Sequence, residues 1–152
     1  MFYFENTIVI NRPVKEVFAF LVDLPSIPKW NYYVRSVVPT SSQSGSVGST
    51  YHQIRRDDEQ DLRISKLEPN QTLVVETIPP SKPELRREVL FEVQGQSTRL
   101  TDKWQLDMGV PKLLEPLAAQ RAKAGVRENL EKLKELLELG RVTLQDGRSF
   151  NR

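Results

Sequence analysis

Three side chains of this sequence could move a proton within an apolar setting: Asp102, His52 and Glu76. Asp102 falls in an alternating stretch, Ser97 to Met108, on the face that carries Thr98, Leu100, Trp104, Leu106 and Met108. A carboxyl on such a face must find a hydrogen-bonded or charged partner or give up its charge. It would serve as a general acid or base, or as an anchor for the polar group of a ligand. The plainer alternative is a residue near a sheet edge, paired to an arginine such as Arg63 or Arg99. His52 is the single histidine, and imidazole alone has an unperturbed titration near neutrality. It alternates with Tyr51 and Gln53, so whichever face of its strand looks inward supplies polar groups. Glu76 interrupts the apolar run from Leu73 to Ile78 and either joins a site or points to solvent. If these groups met, Tyr51 or Arg63 would be placed to stabilise an enolate.

A second set of residues suits binding rather than proton transfer. Trp30 and Trp104 are large apolar walls with one N–H donor each. Tyr32 and Tyr33 are candidates for an entrance. Asn129 sits at the edge of a helical apolar stripe. Ala118, Ala119, Ala122 and Gly125 make the first half of that stripe small, whereas Leu130, Leu133, Leu136 and Leu137 make the second half large. Close-packed interiors favour large residues throughout. The small half therefore allows either a close backbone approach or an open space, and the ligand-binding candidates are Trp30, Tyr51, Trp104, Ala118, Ala122 and Asn129.

Several classes are excluded. With no cysteine there is no disulfide, thiolate metal site or cysteine nucleophile, and a zinc site or a Ser-His-Asp triad could be built only with His52. No metal and no cofactor is expected. The 22 basic and 20 acidic residues nearly balance, leaving no nucleic-acid footprint. No apolar run approaches the ~20 residues of a membrane span, so stable membrane insertion is not expected. Met1 to Phe4 is followed at once by Glu5 and Asn6, which does not read as a signal peptide, and the expected location is cytoplasmic.

The elements that position these residues follow from periodicity. Phe2 to Asn11 alternates as a strand. Pro13 opens a helix whose stripe runs through Val22, and Ser26 to Asn31 makes a short turn that turns Ile27 and Trp30 inward. Strands are predicted from Tyr32 to Thr40, Thr50 to Arg56, Gln60 to Leu67, Thr72 to Ile78, Glu84 to Gln94 and Ser97 to Met108, joined by serine-, glycine- and proline-rich turns. Pro111 to Leu139 is a long helix, broken or bent at Pro116, with a straight part roughly 35 Å long at about 1.5 Å per residue. Gly140 ends it. Residues 141–152 are polar and predicted to fray. The 152 residues suggest one domain over 1–140, with an α+β antiparallel sheet of about six to seven strands curved around the long helix.

This order resembles the START-like, helix-grip superfamily, in particular its polyketide cyclase/dehydrase and lipid-transport group. The resemblance rests on Ile10-Asn11-Arg12-Pro13-Val14-Lys15-Glu16-Val17-Phe18 at the strand-to-helix junction and on Leu24-Pro25-Ser26-Ile27-Pro28-Lys29-Trp30-Asn31 as a short second helix. It continues through Ser46-Val47-Gly48-Ser49-Thr50-Tyr51, Leu67-Glu68-Pro69-Asn70-Gln71-Thr72-Leu73 and Gln96-Ser97-Thr98-Arg99-Leu100-Thr101, and ends in Leu113-Leu114-Glu115-Pro116-Leu117 and Leu130-Glu131-Lys132-Leu133-Lys134. No single motif is specific; the ordered set is. It implies a sheet curved around an apolar cavity with the long helix as wall, and it carries no universal catalytic residue. By analogy with the family, Met108, Val110 and Leu114 border an opening. Asp102 departs from the aromatic usual in the family's last strand.

The leading expectation is a carrier or sensor of an apolar small molecule: a lipid, quinone or polyketide-like compound. An enzyme of the cyclase, aromatase or dehydrase type comes second and requires at least two of Asp102, His52 and Glu76 to converge. A protein-interaction module, using Phe2, Tyr3 and Phe4 or the tyrosine pair, comes third. The expected state is a monomer or weak homodimer.

Overall fold

The computed structural model describes residues 1–152. Strand β1 (Phe2–Ile10) is followed by helix α1 (Val14–Val22) and a 3₁₀ turn (Leu24–Lys29). Six strands succeed one another: β2 (Val34–Pro39), β3 (Thr50–Arg55), β4 (Glu59–Glu68), β5 (Thr72–Thr77), β6 (Glu84–Gln94) and β7 (Ser97–Asp107). A 3₁₀ turn (Lys112–Leu114) leads into α2 (Glu115–Leu139), and a hairpin of β8 (Arg141–Thr143) and β9 (Ser149–Asn151) ends the chain. The main sheet has seven strands in the order β1-β7-β6-β5-β4-β3-β2, with every neighbour antiparallel. This is the helix-grip arrangement expected from the pattern.

Alternation sets which side chains look inward. On β1 the even-numbered residues Phe2, Asn6 and Ile10 are buried while Tyr3, Glu5, Thr7 and Val9 face out. On β7 Thr98, Leu100, Asp102 and Leu106 are buried. A register shift between Ile64 and Lys66 in β4 and another between Val34 and Ser36 in β2 add local twist and bend the sheet. At the tight β4–β5 turn Asn70 takes φ 60°, one of the few side chains that tolerate it.

Helix α2 runs beside edge strand β1 in the same direction. The Asn6 Nδ2 donates to the Lys123 carbonyl at 3.1 Å, and Lys134 Nζ donates to the Val9 carbonyl at 2.6 Å. The Asn11 N–H donates to Glu138 Oε2 at 2.7 Å and Arg12 Nε to the Leu137 carbonyl at 3.1 Å. These bonds lock the helix along one margin of the sheet and cover groups that an edge strand would otherwise offer. Pro116 lies in the first turn of α2, where its missing N–H costs nothing, so the break falls before the helix rather than inside it. Gly140 closes the helix at φ 80°, its N–H donating to the Leu136 carbonyl at 2.9 Å.

The tail corrects the expectation of fraying. Val142 and Leu144 are buried in the main core, with Phe150 packed against it. Lys132 Nζ reaches the Thr143 carbonyl at 2.8 Å, and Arg152 pairs with Glu16 of α1. Two apolar anchors two residues apart suffice, because Gly140 turns the chain back onto the leucine half of α2.

Candidate functional site

The core is divided. The leucine half of α2 packs with α1, the 3₁₀ turn and the tail hairpin in one cluster that includes Ile10, Val17, Leu24 and Leu100. A second, small cluster of Phe2, Leu85 and Leu106 packs under Ala118, Ala119 and Ala122. Between the small half of α2 and the concave face of the sheet lies a cavity of about 980 Å³. Leu62, Leu73, Val75, Leu85 and Leu106 contribute from the strands and Ala118, Ala122, Gly125 and Val126 from the helix. Exposed residues on its lining, Asp58, Lys82, Met108, Gly109 and Arg121, mark the opening.

A buried ion pair stands in this wall. Asp102, fully buried, accepts from Arg87 Nε at 2.7 Å (Oδ1) and from Arg87 Nη2 at 3.2 Å (Oδ2), and Trp104 Nε1 donates to Oδ2 at 3.1 Å. Arg87 and Asp102 are diagonal neighbours on adjacent strands, since Val89 lies opposite Asp102 and Trp104 opposite Arg87. The guanidinium carbon sits 5.5 Å from the ring centres of both Trp30 and Trp104, and Phe4 stacks on Trp104 at 5.9 Å. Arg87 is thus held by a bidentate pair and two aromatic faces. Its Nη1 makes no hydrogen bond to the protein and remains a donor beside the cavity. Asn129 also lines the cavity, and its buried Oδ1 has no hydrogen-bond partner.

The sequence candidates separate accordingly. Asp102, Trp30, Trp104, Ala118, Ala122 and Asn129 all line the cavity, as does Tyr33. Tyr51 does not: its ring is buried, its hydroxyl accepts from the Gly45 N–H at 2.7 Å and lies 3.2 Å from Ser44 Oγ, and it fastens the turn before β3. His52 and Glu76 lie on the outer face. His52 is 2.9 Å from Asp61 and 3.3 Å from Glu59, and the hydrogen bonds its ring donates to those carboxylates, Asp61 first, hold its pKa above the ordinary value. Glu76 pairs with Arg63 at 3.0 Å. The three acid–base candidates therefore do not converge, and Arg63 is not available to an enolate in the cavity. The partner of Asp102 is Arg87 rather than Arg63 or Arg99. Arg87 was legible in the pattern, because Leu85, Arg87, Val89 and Phe91 share one parity on β6. Nor do the first aromatics form an exposed patch: Phe2 is buried and Phe4 packs on Trp104.

Residues 1–138 match the model of the family described as polyketide cyclase/dehydrase and lipid transport. No curated protein matches the chain significantly in sequence. Among solved structures it resembles a START superfamily protein from Mycobacterium smegmatis, with a TM-score of 0.72 at 12% identity, covering 89% of this chain and 98% of that one. It also resembles the di-domain aromatase/cyclase StfQ of the steffimycin biosynthetic pathway, with a TM-score of 0.69 at 15% identity, over 89% of this chain and 44% of that one. The Aha1 dimer from Colwellia psychrerythraea aligns with a TM-score of 0.68 at 17% identity, over 92% and 98%. At these identities the likeness is one of fold.

Proposed function

The chain belongs to the polyketide cyclase/dehydrase and lipid-transport family, and we propose that it binds an apolar small molecule, a lipid, quinone or polyketide-like compound, between the sheet and α2. The observation that carries this reading is the cavity of about 980 Å³ with a mainly aliphatic and aromatic wall that holds the buried Arg87–Asp102 pair. That combination is the usual form of a small-molecule site. The wall would take up the apolar body of the ligand. Arg87 Nη1 would donate to one ligand oxygen, and Asp102 would hold the guanidinium in place rather than meet the ligand itself.

A cyclase-type reaction is the second reading, favoured by Asp102 alone. Its two oxygens already accept three N–H groups, so most of its lone pairs are engaged and little of the carboxylate is free to meet a substrate proton. The carrier reading stands ahead of it for that reason.

Titration with matched ligands tests the proposal. An alkyl quinone or long-chain ketone should bind more tightly than a hydrocarbon of equal length. Replacing Arg87 and Asp102 together, by Met and Leu, should remove about tenfold of that preference, the scale of a hydrogen bond to a charged group. Hydrocarbon affinity should stay the same. Failure of every apolar probe to bind would reject the carrier reading.

A further inference from the structure

The segment between β7 and α2 carries an unusual set of exposed apolar side chains. Leu113 is 90% exposed, and Met108, Leu114 and Leu117 are about half exposed. All four lie within ten residues of one another, and Met108 is also part of the cavity lining. Leu114, at the end of the 3₁₀ turn, and Leu117, in the first turn of α2, stand one helical turn before Ala118 and Arg121, which line the cavity as well. The patch is therefore continuous with the opening. Lys112 and Arg121 flank it without an ion pair, and the acidic groups beside them are engaged: Glu115 pairs with the Met1 amine at 3.3 Å, and the Asp107 carboxylate accepts the Gly109 N–H at 3.0 Å.

We infer that this surface docks reversibly on an anionic lipid bilayer. A bilayer accepts a side chain as prominent as Leu113 without offering it a matching pocket, and leucines beside lysine and arginine suit the boundary between acyl chains and anionic headgroups. No helix of the chain is long and apolar enough to cross a membrane, so the contact would be peripheral. Docking stands on the patch itself. Its use, to pass an apolar ligand between bilayer and cavity without exposure to water, rests on the carrier reading.

Flotation of the full chain with vesicles tests it, using phosphatidylcholine alone and phosphatidylcholine with phosphatidylglycerol. The protein should float with the anionic vesicles, less so at high salt. Leu113→Asp should lower the bound fraction about tenfold. Lys112→Glu should lower it about tenfold on anionic vesicles and leave the neutral ones unaffected. Neither residue lines the cavity, so ligand titration in the absence of vesicles should be unchanged in both variants; this separates a failure of docking from a failure of ligand binding. Thermal melting equal to that of the parent chain checks that both variants fold. Absence of flotation, or equal flotation of Leu113→Asp and the parent chain, would overturn the inference. So would a concentration-dependent dimer that Leu113→Asp abolishes in the absence of vesicle binding, since a second copy would then be the occupant.

Discussion

The two halves of α2 face the same sheet with opposite results. From Leu130 to Leu137 the inward residues are leucines no more than 1% exposed, and the space beneath them is solid. From Ala118 to Val126 the inward residues are small, and beside the small cluster of Phe2, Leu85 and Leu106 the space beneath them is hollow. The helix is continuous and its axis is fixed along β1 by the bonds of Asn6, Val9, Asn11 and Arg12. Spacing is thus set by the frame, and side-chain volume decides what fills it. The leucine half supplies the packing that keeps the frame rigid, so the alanine half need not collapse.

The largest expected effect lies in the solid half. Leu133→Ala should destabilise the fold by about 4 kcal/mol in denaturant titration, since a fully buried leucine leaves a cavity its neighbours fill only in part. In the hollow half the sensitive point is the polar centre. Asp102→Ala should cost about 3 kcal/mol by stranding Arg87, and Arg87→Met combined with Asp102→Leu should recover most of it. A double variant no more stable than the single one would show that the pair has a packing role the geometry does not reveal. Val142→Ala, at the junction of the tail and the leucine half, should cost about 2 kcal/mol; no loss would mean that the hairpin is not part of the solid half. Ala122→Phe should change stability by less than about 1 kcal/mol. Overpacking of a filled core usually costs more than that.

The smallest effect is a pH dependence, and its first source lies far from both halves. His52 titrates above its ordinary value because of Asp61 and Glu59 on the outer face. Its contribution is therefore complete below about 6.5 and is lost as pH rises through the raised folded value. Urea midpoints should fall slightly over that interval, and His52→Gln should flatten the trend. Glu138 works in the opposite direction. Burial pushes its carboxyl up, but the Asn11 N–H, Lys134 and Arg12 together outweigh burial and hold it below the usual range. Its contribution is present above the ordinary carboxylate value and lost as pH falls through the lowered one.

Much of this is legible in the sequence itself. Period-two and period-3.6 patterns located the seven strands of the main sheet and both helices, and the small-to-large change along α2 was visible as residue volume. Parity placed Asp102 inward correctly. Parity alone could not say which face of β3 looks inward, and Tyr51 shows a further limit: its ring points inward, yet its hydroxyl is taken by the turn at Gly45. The Arg87–Asp102 pair depends on the β6–β7 register, which no single strand contains. The tail hairpin was missed because three-residue strands carry too little pattern, and its anchoring by Val142 and Leu144 depends on tertiary contact with α2.

The central claim is that the space beneath Ala118 and Ala122 holds an apolar ligand. Native mass spectrometry of the protein as purified, beside Ala122→Phe prepared in the same way, tests it most directly. A co-purifying apolar molecule on the parent chain, extractable into organic solvent and missing from an equally stable Ala122→Phe protein, is the expected result. Equal retention by the two proteins, or an Ala122→Phe protein that loses several kcal/mol because no hollow receives the ring, would contradict it.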